Sequence, residues 1–199
     1  TVHKKLESRL SKFLGTEDTI LYSSCFDANT GLFETLLGSE DAVIGDALNH
    51  ASIIDGLRLC RCRKIVFPHL DIEALQDALG RSHSGGKTFL VTESLFSMDG
   101  DVAPLETYAQ LVEKHGAYLI VDDAHATGVF GETRGSGLTE AFGVEKRAVA
   151  ILSTFGKALG LFGAFVAGPR VMIDYLINHS RPFIFTTAVP PLLLFGIEA

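Results

Sequence analysis

Short apolar runs alternate with amphipathic stretches along most of the chain. Six of the apolar runs have the length and composition of buried strands: residues 19–23, 42–45, 63–67, 87–93, 117–123 and 148–153. The amphipathic stretches predict helices near residues 26–37, 49–60, 71–80, 104–115 and 169–179. Because strands and helices alternate, the sequence predicts an α/β fold with a largely parallel sheet and helices on both faces.

A seventh apolar run, residues 163–168, closely follows the strand at residues 148–153. The intervening segment is too short for a crossover helix, so we expect this strand to run antiparallel. No linker or internal repeat divides the chain. It opens on a helix-like pattern, TVHKKLESRLSKFLG, and stops at LLLFGIEA without a terminating signal. We therefore expect residues 1–199 to be one domain and a fragment of a longer chain.

Charge and composition narrow the range of partners. The formal net charge is -7 without a block of like charges, which argues against nucleic-acid binding and against a polybasic membrane surface. No apolar stretch reaches the roughly 18–20 residues that span a bilayer. The three cysteines, Cys25, Cys60 and Cys62, cannot form a fully paired disulfide framework, which favours a reducing compartment. We expect a cytoplasmic protein that contacts neither nucleic acid nor membrane.

Two kinds of site match the sequence poorly. Cys60 and Cys62 with nearby His69 lack a fourth ligand, and their spacing fits no common zinc site, so we predict no metal. A dinucleotide-binding module requires Gly-x-Gly-x-x-Gly directly after the first strand. This chain has SSCFDANTG there instead.

Polar residues follow five of the predicted strands, at the end where open α/β sheets bind ligands. They are Ser24 and Cys25, then Asp46, Asn49 and His50, then Glu93, Ser97 and Asp99, then Asp122, Asp123 and His125, and finally Ser153, Thr154 and Lys157. Each alone has an ordinary structural explanation, such as an aspartate that caps a helix. Together, at one edge of a sheet, they predict a single site.

Lys157 is a cation among small and apolar residues in the segment AILSTFGKALG. A desolvated lysine has a lowered pKa and forms Schiff bases. Pyridoxal 5′-phosphate (PLP) needs such a lysine and a carboxylate on its ring nitrogen, roles that suit Lys157 and Asp122. His125 suits the phenolic oxygen and His50 suits the ring face. Spacing also leaves open a loop lysine whose stem simply packs on the sheet.

The phosphate of such a cofactor needs backbone N–H groups at a helix start, with hydroxyls nearby. Cys25 and Phe26 precede a predicted helix, and Ser153 and Thr154 end a predicted strand. These four residues are the candidates for phosphate binding.

Five longer segments carry a more specific pattern. They are SSCFDANTGLFETLLGSEDAVIGDALNHASIIDG, ESLFSMDGDVAPL, VDDAHATGVFG, STFGKALG and RPFIFTTAVPP. In this order they resemble the α-oxoamine synthase family of PLP enzymes over nearly the whole chain. The resemblance implies the aspartate-aminotransferase fold (fold type I), with residues 1–199 as the cofactor-binding large domain and most of the small domain absent.

The resemblance also implies the roles of individual residues. Lys157 would carry the cofactor, while Asp122 and His125 would contact the ring nitrogen and the phenolic oxygen. His50 would stack on the ring and orient substrate, which makes His50, Asp122 and Lys157 the implied catalytic residues.

The remaining implied contacts are to the cofactor and across a subunit boundary. Ser97, Thr154 and the backbone of Cys25 and Phe26 would contact the cofactor or its phosphate. Thr186 and Thr187 would reach the phosphate of a neighbouring subunit, which implies a homodimer with the active site at its interface.

The family's reaction joins an amino acid to an acyl-CoA thioester and releases carbon dioxide. The front half of the chain resembles members that join glycine to acetyl-CoA. The rear half, including STFGKALGLFGAFVAG, resembles members that join L-alanine to a pimeloyl thioester in biotin biosynthesis. More segments resemble the second group of members. We therefore expect L-alanine and a pimeloyl thioester as substrates, with glycine and acetyl-CoA as the alternative.

Two further expectations concern the lysine loop. Family subunits that act only as non-catalytic partners lack the lysine, so Lys157 argues against that alternative. Phe162 and Phe165 are bulky neighbours of the loop. We expect both side chains to pack in the core, with a role in shaping an acyl tunnel as the alternative.

Overall fold

The computed structural model describes residues 1–82 and 85–198, and in them seven strands form one sheet. The strands are β1 (Asp18–Tyr22), β2 (Ala42–Asp46), β3 (Arg63–Phe67), β4 (Thr88–Glu93), β5 (Tyr118–Asp122), β6 (Ala148–Thr154) and β7 (Ala164–Gly168). Each lies within one residue of its predicted bounds.

The helices of the described residues are α1 (Val2–Leu14), α2 (Cys25–Leu36), α3 (Ala51–Arg58), α4 (Ile72–Arg81), α5 (Leu105–Lys114), α6 (Leu138–Ala141), α7 (Arg170–His179), α8 (Arg181–Phe185) and α9 (Pro191–Glu198). The five predicted helices are α2, α3, α4, α5 and α7, with ends within two residues of the prediction. In the part of the chain described here, no helix combines the length and apolar character that crossing a bilayer requires.

The strand order across the sheet is β1-β7-β6-β5-β4-β2-β3. Neighbouring strands are parallel except where β7 pairs with β1 and β6, so β7 is the antiparallel strand that the sequence predicted. The predicted α/β fold is thereby confirmed. The carboxyl ends of β2, β4, β5 and β6 all lie at one edge of the sheet.

Alternating side chains on the central strands point to opposite faces of the sheet. Val43 and Val91 pack with α2, α3 and α7, whereas Ile44 and Leu90 pack with α4 and α5. A third cluster joins α1 and α9 to β1 and β7. Both faces of the sheet are therefore covered at its central strands, which explains why these appear in the sequence as nearly continuous apolar runs. The expectation of burial is wrong for the edge strand β3, where Arg63, Lys64 and Val66 are exposed.

Three short helices were not predicted, for different reasons. The four residues of α6 are too few to show a helical period. Helix α8 begins with Arg181 and Pro182, a proline that also fits a turn. The apolar residues of α9 lie on several sides, so no amphipathic stripe marks it.

Helices α2 and α3 approach each other closely at Gly56. A Cβ atom on Gly56 would lie 2.9 Å from Cδ2 of Phe33 and 3.2 Å from the carbonyl oxygen of Asn29. Because Phe33 is fully buried, its ring has little room to move. The glycine therefore lets α3 pack against α2 at the distance that the site described below requires.

We predict that Gly56→Ala destabilises the full-length protein by about 1–3 kcal/mol, because the added methyl overpacks this contact. Gly80→Ala in α4 is the matched control, since a Cβ there meets nothing within 4 Å. It should leave stability unchanged or raise it by up to about 1 kcal/mol through helix propensity. Urea unfolding of both variants measures the difference, and equal effects would contradict the close-packing explanation.

Candidate active site

The described residues place most of the predicted site side chains at the carboxyl edge of the sheet. Glu93 at the end of β4 pairs in register with Asp122 at the end of β5, and Asp122 pairs with Leu152 of β6. The turn after β6 carries Lys157, and the segment after β2 carries His50. One edge thus brings together carboxylates, an amine and imidazoles from four strands.

Asp122 is a buried carboxylate with two firm donors. Only 6% of it is exposed. Its Oδ2 accepts a hydrogen bond from Nδ2 of Asn29 at 3.0 Å, and its Oδ1 accepts one from the amide of Ala124 at 3.1 Å. Since a carboxylate has about four acceptor positions, Asp122 retains capacity for a further donor such as a protonated ring nitrogen.

A chain of hydrogen bonds continues from Asp122 to His50. Asn29 also donates to Oγ of Ser52 at 2.9 Å, and Ser52 lies 2.8 Å from Nδ1 of His50. The Ser52 amide donates to the same nitrogen at 3.1 Å, so His50 caps α3. An Nδ1 that accepts these bonds leaves the proton of the neutral ring on Nε2.

Asn29 and Ser52 were not identified as site residues from the sequence, although both are buried. One signal was present for Asn29, which follows Cys25 by four residues and therefore shares its face of α2. Ser52 carries no comparable signal, because a serine in the first turn of a helix is ordinary.

Lys157 and His125 lie close enough to interact electrostatically. Burial, then the positive charge of Lys157, lowers the pKa of His125, while Asp122 opposes this and His50 adds to it. His125 therefore favours its neutral form. The mutual influence of these four side chains places the predicted lysine, carboxylate and imidazoles in one site.

The expectation that apolar neighbours enclose the Lys157 amine is wrong, because Lys157 is exposed. The turn after β6 closes through hydrogen bonds from the Phe155 amide to Gly163 and from the Leu161 amide to Phe155. This closure buries Phe155 fully. The apolar residues before the lysine, up to Phe155, thus fill the core, whereas Lys157 and the following Ala158 and Leu159 are exposed in the turn.

Glu93 is a second buried carboxylate, for which the sequence suggested a place at the strand end but no role. Only 2% of it is exposed, and among the described residues its Oε1 has no hydrogen-bond partner. Burial, followed by the negative charge of Asp122, raises the pKa of Glu93 to about 7, while Lys157 lowers it.

The two adjacent aspartates of VDDAH have different functions. Asp123 is fully buried and accepts hydrogen bonds from Ser94, from the amide of Leu138 at 3.2 Å, and from the hydroxyl of Thr139 at 2.7 Å. These contacts anchor the start of α6. Asp123 is therefore structural, which leaves Asp122 as the aspartate of the site.

The start of α2 provides the predicted anion-binding backbone. Ser24 caps the helix, accepting from the amide of Asp27 at 3.0 Å. The amides of Cys25 and Phe26 are the first of the helix, where no intrahelical acceptor exists. Burial, then the Asp122 charge, raises the pKa of the Cys25 thiol well above its usual range, so this thiol stays protonated beside the carboxylate.

The hydroxyl residues predicted to bind the cofactor differ in their surroundings. Thr154 donates to the carbonyl of Gly163 at 3.0 Å and accepts from the amide of Gly156 at 3.1 Å. Buried Ser153 has no partner for its Oγ among the described residues. Ser97 is exposed in the turn that follows β4. Their contacts with a phosphate or ring stay predictions.

Thr186 and Thr187 lie elsewhere. Both are exposed after α8 and line a cavity of about 280 Å³ between the start of α1, the end of β1 and α8. Their contribution to the site of a neighbouring subunit stays a prediction.

In residues 1–82 and 85–198, no group of three or more His, Cys, Asp and Glu side chains is arranged to hold a metal ion. Cys60 and Cys62 are buried free thiols. His69 contacts Asp46 and Asp101 instead.

The assembled groups fit PLP in their chemistry. Asp122 has acceptor capacity for a ring N–H, Lys157 is an accessible amine, and His125 is a neutral imidazole. The start of α2 offers backbone donors for a phosphate. No residue of this set conflicts with binding of that cofactor.

Comparisons with known proteins agree with this assignment. The family model of aminotransferase class I and II matches residues 1–199. The chain is 47% identical over 192 residues to the mitochondrial 2-amino-3-ketobutyrate coenzyme A ligase of Bos taurus, covering 96% of this chain and 46% of the relative. It is 48% identical over 189 residues to the 8-amino-7-oxononanoate synthase of Anaeromyxobacter sp. (strain K), covering 95% and 47%.

Among solved structures, the fold is similar to a variant of the serine palmitoyltransferase from S. paucimobilis with a bound PLP-myriocin aldimine. The TM-score is 0.93 at 36% sequence identity, covering 98% of this chain and 49% of that one. The chain thus spans about half the length of the relatives it matches. It belongs to the aminotransferase class I and II family and resembles the α-oxoamine synthases within it.

Proposed function

We propose that the protein is a PLP-dependent acyltransferase that condenses an amino acid with an acyl-CoA thioester and releases carbon dioxide. The observation that carries this proposal is the grouping of Lys157, Asp122, His125 and His50 at one sheet edge. Residues 1–199 would be the cofactor-binding large domain of a longer protein, in agreement with the half-length match to its relatives.

When bound, PLP supplies an electron sink for the charge that develops at Cα of the amino acid. Asp122 would keep the ring nitrogen protonated, because its carboxylate is buried and held in place by Asn29 and Ala124. The neutral ring of His125 offers an N–H to the phenolic oxygen. Both residues are preorganised, so little reorganisation is needed at the moment of reaction.

Lys157 would hold the cofactor through its amine, and the same amine, when free, would be the base for the Cα proton of the amino acid. Its exposed position in a turn gives the amine the freedom to move between these two tasks. His50 keeps its proton on Nε2 through the Ser52 contacts. That N–H can polarise the acyl carbonyl or bind the carboxylate that leaves.

L-alanine with a pimeloyl thioester is the substrate pair we favour, and glycine with acetyl-CoA is the alternative. The relatives include enzymes named for each reaction at nearly equal identity. Phe165 is buried against Phe155 as expected, but the expectation of core packing is wrong for Phe162, which is 53% exposed. It lies in the lysine turn before β7 begins, and offers apolar surface to a long acyl chain.

We propose a homodimer in which Thr186 and Thr187 serve the neighbouring active site. Apolar side chains are exposed on α8 and α9 beside these threonines, among them Phe185, Leu192 and Phe195. A cluster of this kind is typical of an interaction surface. The free cysteines of the described residues support a reducing, cytoplasmic location.

We predict that Lys157→Ala in the full-length protein abolishes turnover and the visible absorption band of the cofactor. In the unmodified protein, borohydride reduction should add the mass of the cofactor to the peptide that contains Lys157. Lys114→Ala on α5 is the matched control and should retain both properties. Cofactor that is still trapped by borohydride in the Lys157 variant would refute the assignment.

The raised pKa of Glu93 predicts a pH dependence of stability. The pKa rises from 4.5 to about 7 on folding, so the folded state binds more protons between these values. The resulting stabilisation is complete below pH 4.5 and is lost as pH rises through 7, a change of about 3 kcal/mol at about 1.4 kcal/mol per unit. Glu93→Gln should flatten this decline in the apo protein.

Urea unfolding across pH 4–8 measures this effect, with Glu73→Gln on the exposed side of α4 as the control that should keep the decline. An unchanged slope in Glu93→Gln would show that another group titrates in this range.

The substrate pair is tested by a direct comparison on the full-length enzyme. We predict a higher kcat/KM for L-alanine with pimeloyl-CoA than for glycine with acetyl-CoA, measured by coenzyme A release. A preference for glycine and acetyl-CoA would replace the favoured pair by the alternative, and no release with either pair would count against the proposed reaction class.

A further inference from the structure

His69 lies between two carboxylates at the β2 side of the carboxyl edge. Its Nδ1 is 2.8 Å from Oδ1 of Asp46, and its Nε2 is 3.2 Å from Oδ2 of Asp101. The ring also packs edge-on against buried Phe96, with ring centroids 4.5 Å apart. The bridge joins three segments: the end of β2, the loop between β3 and α4, and the turn at residues 96–101.

Asp46 forms the fixed end of this bridge. It is buried, and besides His69 it accepts hydrogen bonds from the amides of Leu48 at 2.9 Å and Leu70 at 3.0 Å. Leu70 has a φ of 56°, a strained conformation for a leucine that surrounding contacts must maintain. Asp46 therefore contacts the His69 ring directly and also binds the backbone of two loops, at Leu48 after β2 and at Leu70 before α4. These contacts hold His69 in place.

Asp101 belongs to the turn that carries Ser97. The Phe96 amide donates to the Asp101 carbonyl at 2.9 Å, and the Gly100 amide donates to the Phe96 carbonyl at 3.0 Å. Ser97 is exposed within this turn, four residues after Glu93 at the carboxyl end of β4. The turn contacts the β2 side through the Asp101 carboxylate and the Phe96 ring.

Both nitrogens of His69 face carboxylate oxygens, so only the doubly protonated ring donates to both. Burial lowers the pKa of His69, but the two carboxylates outweigh it and raise the pKa overall. In its doubly protonated form the ring makes an ion pair on each side, partly shielded by Phe96. Such charge-assisted hydrogen bonds are stronger than neutral ones.

We propose that His69 is a positioning residue that ties the Ser97 turn to the end of β2 and so sets the position of Ser97 in the active site. The proposal rests on the proposed function only in so far as Ser97 contacts the cofactor. His69 itself touches neither cofactor nor substrate. Its effect on the reaction passes through the turn.

His69→Phe in the full-length holoenzyme tests this, because Phe keeps the ring contact with Phe96 and removes both donors. We expect kcat to fall about tenfold or more, with KM for the acyl-CoA changed less than about twofold, as for a misplaced catalytic contact. In a Ser97→Ala background the same substitution should change kcat less than about twofold, since residues that act as a unit are not additive.

Two matched variants separate positioning from general destabilisation. Asp101→Asn keeps an acceptor for the ring and should lose less kcat than Asp101→Ala. His179→Phe, at an exposed histidine that contacts Tyr175 on α7, should leave kcat unchanged. Additive losses from His69→Phe and Ser97→Ala, or an unchanged kcat in His69→Phe, would overturn the proposal.

Hydrogen exchange of the apo protein gives a readout independent of activity. In His69→Phe the amides of Phe96 and Gly100 should exchange faster, whereas those of β5 should not change. Unchanged exchange in the turn would overturn the proposal even if the protein had no acyltransferase activity. If the turn exchanges faster in His69→Phe but the protein has no acyltransferase activity, the structural role of His69 stands and only its effect on catalysis is refuted.

Discussion

The hydrogen bond from Asn29 to Asp122 is the contact on which the site and the packing around it depend. A carboxylate buried at a strand end is costly unless donors satisfy it, and a neutral amide does so without cancelling the charge. Asn29 can also reach Ser52 because α3 packs closely against α2 at Gly56. The close packing of α3 against α2 and the hydrogen bonding of the Asp122 carboxylate therefore depend on each other, so a change in either one alters both.

The site combines buried and exposed parts for different purposes. Asp122, Asn29 and Ser52 are buried and joined one to the next by hydrogen bonds, which fixes the position of the Asp122 carboxylate. Lys157 lies in an exposed turn, where the amine can change position without disturbing the core. The turn that carries Ser97 lies between these extremes, since its own hydrogen bonds keep its shape and the His69 bridge keeps its location.

Much of this arrangement could be predicted from the sequence, because the alternation of strands and helices follows directly from burial on both faces of a parallel sheet. The polar residues after each strand then indicated Asp122, His125, His50 and Lys157. Asn29 and Ser52 were missed since polar residues in amphipathic helices are usually solvated. The exposure of Lys157 depends on how the turn closes, from Leu161 back to Phe155, and no local pattern encodes that.

The charges at the sheet edge are coupled in a way that suits proton transfer. Glu93 and Asp122 are neighbouring carboxylates, and burial together with the Asp122 charge raises the pKa of Glu93 to about 7, while the positive charge of Lys157 lowers it. The charges of Asp122 and Lys157 therefore act on Glu93 in opposite directions, and a buried carboxyl group with a pKa of about 7 lies beside the amine that the proposed reaction uses as its base.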